Sequence, residues 1–314
     1  MKIFVTGGTG RIGRVLVEKL LAKGHSVVLL SRSKEKANEL FGSKAVVLEG
    51  DLLDVGSVAL VEALQKCDVV MHLAALLSFT HSREEIWLEN VGGTQKLLDA
   101  SKKAKIKKFI FMSSCALYHG FEKVVDENTV PKPWGAYGES KLECEKIVKA
   151  SGLPFVFLRA PAVYGPGFDE GFSTVIKLAK KGKMPLLGSG KNHIALVHVS
   201  DLADALILSL SPKVKNDAFI ITDGENLTQQ EAFGKVLNFV KGKKWLTLPV
   251  WLAFFLAHLN TFLSWFGVKR VLLPVHVSVL TEDRRFDISK ARKGLGFKPK
   301  YDLLKGLESV KGLY

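Results

Sequence analysis

A glycine-rich turn near the N-terminus constrains the fold of this 314-residue chain more than any other feature. The turn reads TGGTGRIG over residues 6–13 and follows a short apolar run at residues 3–6. The residues from 11 to 23 carry apolar side chains at helical spacing. A strand, a glycine-rich turn and a helix in this order bind the phosphates of a dinucleotide in doubly wound folds. The residues expected at that site are Gly7, Gly8, Thr9, Gly10, Arg11, Ile12 and Gly13.

Short apolar runs alternate with helical segments through the first half of the chain. This alternation is typical of a parallel sheet covered by helices on both faces. We expect strands at 3–6, 26–30, 45–48, 69–73, 108–113 and 155–159, and helices near 11–23, 34–41, 55–66, 84–103 and 137–150. The predicted fold is therefore α/β, a doubly wound parallel sheet with a smaller, discontinuous C-terminal lobe. Residues 1–165 and 195–223 are expected to form the dinucleotide-binding domain, and residues 166–194 and 224–314 the substrate-binding lobe.

Composition and charge argue against several other classes of protein. Apolar residues make up 47% of the chain and charged residues 24%, which is typical of a globular protein. The three cysteines form no CxxC pair and the eight histidines show no metal-ligand spacing, so we expect a reducing compartment and no metal. The net charge of +14 is interpreted as a lysine-rich surface, and we expect no nucleic-acid partner, because no nucleic-acid-binding signature accompanies it. The N-terminal residues enter a strand without an apolar leader, which predicts a cytoplasmic location.

The end of the second predicted strand indicates which dinucleotide binds. An NAD site usually has Asp or Glu here, roughly 20 residues after the glycines, to bind the ribose hydroxyls. This chain instead reads LLSRS over residues 29–33, with no carboxylate. The guanidinium of Arg32 suits a 2′-phosphate, and Arg11 is expected to add a second positive charge nearby. The sequence therefore predicts NADP(H) as the preferred cofactor, with NAD(H) as the alternative.

Two further segments follow predicted strands and are expected to contact the cofactor. Asp51 and Leu52 come after the third strand, where the Asp51 carboxylate is expected to accept a hydrogen bond from the adenine amino group. Leu73, Ala74 and Ala75 lie at the end of the fourth strand. The small side chains of Ala74 and Ala75 leave room for a ribose and a phosphate.

A tyrosine and a lysine four residues apart, Tyr137 and Lys141, indicate acid/base chemistry. This spacing places both side chains on one face of a helix, and a nearby ammonium favours the phenolate, so we expect Lys141 to lower the pKa of Tyr137. Ser114 lies at the carboxyl end of a predicted strand, where ligands bind in open α/β sheets, and is expected to hydrogen-bond the reacting oxygen. Its neighbour Ser113 is expected to bond only to backbone. Beside a dinucleotide site, these groups predict an enzyme that moves a hydride and a proton across a C–O bond.

The motifs together resemble the extended short-chain dehydrogenase/reductases of the NAD-dependent epimerase/dehydratase superfamily. The resemblance runs nearly end to end, through TGGTGRIG, GDL at 50–52, HLAA at 72–75, SSCALY at 113–118, YGESK at 137–141 and LRAPAVYGPG at 158–167. It implies that Tyr137 is the general acid/base, that Lys141 tunes it and binds the nicotinamide ribose, and that Ser114 polarises the substrate oxygen. It also implies that Asn90 supports Lys141 through a water, and that helices at 84–103 and 137–150 form a homodimer face.

Two segments favour the 3β-hydroxysteroid dehydrogenase and dihydroflavonol reductase-like branch of that superfamily. Sugar-nucleotide epimerases commonly have Asn before the VYGP segment and an RPGD-like segment whose Arg binds the substrate diphosphate. This chain has APA at 160–162 and TEDRRFD at 281–287. The branch implies an oxidoreductase that interconverts a secondary alcohol and a ketone. Because Arg284 or Arg285 can still bind a phosphate, an NAD-dependent sugar-nucleotide epimerase or dehydratase stays the alternative, whereas the Tyr/Lys pair disfavours a non-catalytic dinucleotide sensor.

An apolar segment, residues 246–268, bears on the substrate and on membrane contact. It contains no Asp, Glu, Lys or Arg, and basic residues flank it on both sides. Three structures are open: a buried helix beside an apolar substrate, an amphipathic helix lying on a membrane surface, and a transmembrane span. Symmetrical basic flanks and interspersed polar residues disfavour the span. The other two both predict a hydrophobic small-molecule substrate, and the surface helix also predicts peripheral membrane contact.

Overall fold

The computed structural model describes residues 1–77, 81–168, 171–242, 245–267 and 273–313. Residue 268, the last of the predicted apolar segment, lies outside these ranges. The strands are β1 (Lys2–Thr6), β2 (Ser26–Ser31), β3 (Ala45–Glu49), β4 (Val69–His72), β5 (Lys108–Ser114), β6 (Phe155–Ala160), β7 (Ala162–Tyr164), β8 (Pro185–Leu187), β9 (Leu196–His198), β10 (Asp217–Ile220) and β11 (Leu246–Leu248). The helices are α1 (Arg11–Ala22), α2 (Lys34–Phe41), α3 (Ser57–Gln65), α4 (Arg83–Trp87), α5 (Gly93–Lys103), α6 (Gly135–Ala150), α7 (Phe172–Lys180), α8 (Val199–Leu208), α9 (Gln229–Val240), α10 (Val250–Leu263), α11 (Pro274–Thr281), α12 (Ser289–Gly294) and α13 (Leu303–Ser309).

Seven of these strands form one sheet in the order β10-β6-β5-β4-β1-β2-β3, and every neighbouring pair is parallel. The chain builds one half of the sheet with β1 to β3 and then crosses to the other side of β1 to begin β4. The strand order therefore reverses between β1 and β4. In such sheets, ligands bind in the crevice outside the carboxyl ends of the strands at this reversal. The predicted doubly wound α/β fold is confirmed.

The helix predicted over residues 84–103 is the element that differs most from its prediction. It is interrupted, because residues Leu88–Gly92 form a π-helical turn between α4 and α5. Such turns insert an extra residue into a helix and often occur at functional sites. Asn90 lies in this turn and is only 2% exposed. The prediction of a single helix was wrong here, because hydrophobic periodicity does not distinguish an α-helix from a helix with one wider turn.

Strand β1 shows how helices cover both faces of the sheet. Ile3 and Val5 belong to one apolar core, which includes side chains of α1 and α8. Phe4 belongs to the core on the opposite face, which includes side chains of α3 and α5. Successive side chains of a strand point to opposite faces, so a central strand covered on both sides is apolar throughout. The carboxyl ends of these buried strands are therefore rigid supports for the residues that follow them.

The C-terminal half adds smaller elements beside the sheet. As expected, the chain returns to the main sheet after α8, where β10 pairs with β6. Helices α7, α9 and α13 share a separate core, which includes Phe172, Phe233 and Leu307. Two short strand pairs, β7 with β9 and β8 with β11, lie outside the main sheet. The lobe boundaries at 166–194 and 224–314 stay a prediction.

The apolar segment forms β11, α10 and a 3₁₀ turn at Ser264–Phe266. Within the described ranges, no helix is both long enough and apolar enough to cross a membrane. Of the fourteen residues of α10, only Ala253 and Ala257 are buried. Of the three structures that the sequence left open for this segment, the buried helix is therefore not the one observed. An apolar composition favours burial on average, but it does not determine which side of a helix the rest of the protein covers.

Candidate active site

The glycine-rich turn packs directly against the loop that follows β4. Gly7 has a φ of 70°, and a Cβ atom there would lie 2.7 Å from the backbone nitrogen of Ala74. A Cβ atom at Gly13 would lie only 2.1 Å from the carbonyl oxygen of Gly7. Neither position has room for a side chain, because backbone occupies the space. This close packing brings α1 and the end of β1 together beneath a surface of bare backbone, which suits a dinucleotide pyrophosphate.

Helix α1 begins at this turn without a side-chain cap. Gly10 is its N-cap residue, and no acidic side chain lies in the first turn. A helix N-terminus carries a partial positive charge and points backbone N–H groups outward, so it attracts a phosphate. The guanidinium of Arg11 lies over the ring of Phe168, 5.8 Å from its centroid. Thr9 and Ile12, which are half-buried, complete the predicted phosphate loop.

A buried hydrogen-bonded chain holds the loop after β4 in place. The Thr6 hydroxyl lies 2.6 Å from Nδ1 of His72, and Nε2 of His72 lies 3.0 Å from the Thr94 hydroxyl, which donates to the carbonyl of Asn90. The backbone N–H of Ala74 donates to the Thr6 hydroxyl at 3.2 Å. Burial lowers the pKa of His72 to about 3, so its imidazole is neutral. Every hydrogen bond in this series has a donor and an acceptor when Nε2 of His72 carries the proton. The series holds Leu73, Ala74 and Ala75 beside the glycine-rich turn.

Arg32 and Asp51 lie at the carboxyl ends of neighbouring strands β2 and β3. Arg32 is highly exposed, and its Nε lies 4.0 Å from a carboxylate oxygen of Asp51. The other oxygen of Asp51 accepts the backbone N–H of Leu53 at 3.0 Å, which fixes the loop containing Leu52. At this distance and exposure the ion pair is weak. The guanidinium is therefore available to an anion that approaches from solvent.

The structure brings Ser114, Tyr137 and Lys141 together at the carboxyl edge of the sheet. The hydroxyl of Ser114, at the end of β5, lies near enough to the phenol of Tyr137, in the first turn of α6, to lower the pKa of that phenol. Nζ of Lys141 lies 5.8 Å from the centre of the Tyr137 ring and 4.6 Å from that of Phe111. It donates to the carbonyl of Met112 at 2.9 Å. A strand end and one helix face thus bring a hydroxyl, a phenol and an amine together.

The pKa of Tyr137 moves in the direction opposite to the one predicted. Burial raises it to about 12, and the neighbouring Ser114 hydroxyl lowers it only in part. Burial also lowers the pKa of Lys141 to about 8, because Lys141 is 2% exposed and its ammonium is desolvated. The expectation that the Lys141 charge lowers the pKa of Tyr137 was wrong. Desolvation of the phenol has the larger effect on this pKa. The phenol is protonated at neutral pH.

Asn90 connects the loop after β4 to the catalytic helix. Its carboxamide accepts the backbone N–H of Leu76 at 2.7 Å and donates to the Ser140 hydroxyl at 3.0 Å. Ser140 directly precedes Lys141 in α6 and donates in turn to the carbonyl of Tyr137. The observed partners of Asn90 are therefore a loop and a helix next to the site. Its support of Lys141 through a water stays a prediction.

The sequence did not reveal a buried ion pair that lies behind the catalytic groups. Arg159 on β6 donates to both carboxylate oxygens of Glu145 on α6, at 2.8 and 2.6 Å. Ser113 donates to the same carboxylate at 2.7 Å, so the expectation that it bonds only to backbone was wrong. The guanidinium also donates to the phenol of Tyr118. The sequence shows that Glu145 is four residues after Lys141 and so lies on the same side of the helix. It does not show the partner of Glu145, because Arg159 lies on a separate strand.

A second cluster joins the segment after α11 to the start of α6. His119 stacks on Trp134, with ring centroids 5.2 Å apart, and its Nδ1 pairs with the carboxylate of Glu282. Trp134 directly precedes α6. In the same segment Arg284 pairs with Glu282 at 2.9 Å, and Arg285 pairs with Asp283 at 2.8 Å. Both arginines that the sequence analysis named as phosphate-binding candidates therefore already have a carboxylate partner.

Comparison with known proteins gives one family and two kinds of relative. The sequence profile of the NAD dependent epimerase/dehydratase family matches residues 3–221. Sterol-4-alpha-carboxylate 3-dehydrogenase (decarboxylating) of Dictyostelium discoideum is 27% identical, over 98% of this chain and 99% of the relative. UDP-glucose 4-epimerase of Vibrio cholerae is 28% identical, over 98% and 94%. The crystal structure of UDP-glucuronic acid 4-epimerase from Bacillus cereus, in complex with UDP-glucuronic acid and NAD, is 25% identical with a TM-score of 0.80 and full coverage of both chains.

Proposed function

We propose, from the premise that this chain belongs to the NAD-dependent epimerase/dehydratase family, that it is an NADP(H)-preferring oxidoreductase acting on a secondary alcohol or its ketone. The family and its dehydrogenase members make it an NAD(P)-dependent enzyme of the short-chain dehydrogenase/reductase type. One observation carries the choice of reaction. The Ser114 hydroxyl lies near the Tyr137 phenol, beside the Lys141 amine, at the carboxyl edge of the sheet that carries the glycine-rich turn.

In the proposed reaction Tyr137 exchanges the proton. Its pKa of about 12 keeps the phenol protonated at neutral pH, so it is ready to donate to a ketone oxygen. Ser114 holds that oxygen through its hydroxyl, in the position that lets the phenol reach it. A bound nicotinamide supplies the hydride in this direction and accepts it in the reverse direction. Lys141, protonated below its pKa of about 8, stabilises the phenolate that remains after donation.

Two features support the preference for NADP(H). Arg32 stands at the end of β2, where an NAD-binding protein of this fold has a carboxylate, and its guanidinium is 84% exposed. A phosphate group accepts paired hydrogen bonds from such a guanidinium. The carboxylate of Asp51 at 4.0 Å opposes a 2′-phosphate in part, so we expect a preference rather than exclusion of NAD(H). Arg11 is assigned no role in this preference, because its guanidinium lies over Phe168.

The substrate is proposed to be small and hydrophobic. Arg284 and Arg285 are neutralised by Glu282 and Asp283, so neither presents an uncompensated charge to a nucleotide diphosphate. Several relatives act on apolar compounds by name, among them a sterol-4-alpha-carboxylate 3-dehydrogenase and a farnesyl-dihydroquinoline-oxide ketoreductase of Stigmatella aurantiaca that is 27% identical. The alternative is an NAD-dependent sugar-nucleotide epimerase or dehydratase, which the epimerase relatives favour.

The two candidate functions differ in what happens to the cofactor. An oxidoreductase consumes NADPH stoichiometrically with a ketone, whereas an epimerase regenerates its NAD in each cycle. We expect a loss of absorbance at the NADPH band with a panel of steroid and other apolar ketones, and no turnover of UDP-sugars. Protein that purifies with bound NAD and converts UDP-sugars without net cofactor change would support the epimerase instead.

Replacing Tyr137 by Phe tests the proton-transfer assignment. Tyr137→Phe should abolish ketone reduction and leave NADPH binding nearly unchanged, because only the phenolic hydroxyl is removed. The matched control is Tyr301→Phe, since Tyr301 stacks on His198 and not on a residue of the candidate site. Retained turnover in Tyr137→Phe, or equal loss in both variants, would show that the phenol is not the acid.

Replacing Arg32 by Ala tests the cofactor preference separately. Arg32→Ala should raise the dissociation constant for NADPH about tenfold or more and leave that for NADH unchanged, because a charged hydrogen bond contributes about 1.5–3 kcal/mol. Lys44→Ala, which also removes an exposed cation, is the control. Equal effects on NADPH and NADH would contradict the role given to Arg32.

A further inference from the structure

Helix α10 has an unusual distribution of side-chain sizes. Its two buried residues are the small Ala253 and Ala257, which pack against Leu187 and Val277. The large side chains point to solvent: Trp251 is 70% exposed and Phe255 58%. A helix that stabilises a core normally buries its large residues and exposes its polar ones. In α10 only two small residues are buried, and the largest apolar side chains are exposed.

The exposed side chains form one continuous face, which we call the α10 face. Its members recur at intervals of three or four residues and therefore line one side of the helix and its 3₁₀ extension. They are Trp251, Phe255, Leu259, Phe262 and Phe266, which are 39–73% exposed. Contiguous exposed apolar patches of this kind mark surfaces that bind a partner or a membrane.

The charged residues of the sequence that contains α10 indicate the kind of partner. Residues 232–281, which contain the helix, include six lysine and arginine residues and no aspartate or glutamate. Helices that lie in the interface of anionic bilayers typically combine aromatic side chains with basic residues nearby in the sequence. A second copy of the chain fits less well. A symmetric dimer through this face would bring together two copies of this strongly basic stretch of sequence, and like charges across an interface are unfavourable.

We propose that the α10 face docks on the surface of an anionic lipid bilayer, with α10 parallel to the membrane plane. The aromatic side chains enter the boundary between headgroups and acyl chains, and the flanking cations contact the lipid phosphates and carboxylates. The helix of 14 residues lies on the bilayer and does not cross it. This inference depends on the exposed surface and its charges, so it stands independently of the reaction assigned above.

Flotation with vesicles tests the proposal directly on the full chain. We expect the protein to float with vesicles of phosphatidylcholine and phosphatidylserine, to float less with phosphatidylcholine alone, and to dissociate as salt is raised. Substituting Trp251→Ser, Phe255→Ser and Phe266→Ser together should weaken binding to the anionic vesicles about tenfold or more. The matched control replaces three exposed apolar residues on β3, α3 and α13, with Val46→Ser, Val58→Ser and Leu304→Ser, and should bind like the unchanged protein.

Three results would overturn the proposal. The first is no flotation of the unchanged protein with either kind of vesicle. The second is equal flotation of the α10 variant and the control variant, with circular dichroism showing that both are folded. The third is dissociation of a dimer by the α10 variant in sedimentation experiments without lipid, which would make the face an interface between copies. The homodimer predicted through 84–103 and 137–150 does not use this face, so its presence is compatible with the proposal.

Discussion

Removing the guanidinium of Arg159 should destabilise this protein far more than removing that of an exposed arginine paired with the same helix. The side chains of Arg159 and Glu145 are 5% and 2% exposed, and two hydrogen bonds join them. The carboxylate also accepts the Ser113 hydroxyl. Arg83 pairs with Glu139 on the same helix, α6, but those side chains are 57% and 33% exposed. The two pairs therefore differ mainly in their access to water.

The size of the effect follows from this difference in burial. Removing one partner of a buried ion pair costs about 3–5 kcal/mol, because the remaining charge is left desolvated and unpaired. We expect Arg159→Met to lower the free energy of unfolding by that amount, and Glu145→Gln to have a similar effect. The double variant should cost clearly less than the sum, because it leaves no unpaired charge. Arg83→Met should cost less than about 1 kcal/mol, as exposed pairs do.

Urea unfolding of the four variants measures these differences, and ketone reduction by each gives a second readout. Glu145 holds the end of β5, through Ser113, against the helix that carries Tyr137, so we expect the single variants to lose turnover even where they stay folded. Additive costs in the double variant would refute the reasoning. So would an Arg159→Met variant that is no less stable than Arg83→Met.

Three further changes test other parts of the structure. Gly13→Ala should abolish cofactor binding measured by fluorescence titration, because its Cβ would lie 2.1 Å from the carbonyl oxygen of Gly7, whereas Gly234→Ala in α9, with open space at its Cβ, should be tolerated or slightly stabilising. Burial raises the pKa of Asp223 from 3.8 to about 7, so the folded state binds the proton more tightly and stability falls as pH rises from about 4 to about 7. Asp223→Asn should flatten that decline in melting temperature, and an unchanged decline would contradict the assignment. Ser114→Ala should lower kcat by about a hundredfold with little change in NADPH affinity, and an unchanged kcat would remove Ser114 from the mechanism.

The sequence by itself determined the features that depend on local geometry. The alternation of apolar runs with helical periods predicted every strand of the amino-terminal half and the doubly wound order, because both periods follow from backbone geometry. The glycine-rich turn was predicted because backbone approach leaves no room for Cβ atoms at Gly7 and Gly13. The Tyr137 and Lys141 pair was recognisable because four residues make about one helical turn.

Only the tertiary structure decided what depends on distant partners and on burial. Ser114 reaches Tyr137, and Arg159 reaches Glu145, because the sheet order places β5 and β6 beside α6. The direction of the pKa shift of Tyr137 depends on desolvation, which no spacing in the sequence reports. The exposure of α10 was equally hidden, since its apolar residues would have the same pattern in a core. Which face a neighbour covers is set by packing, and packing is a property of the whole chain.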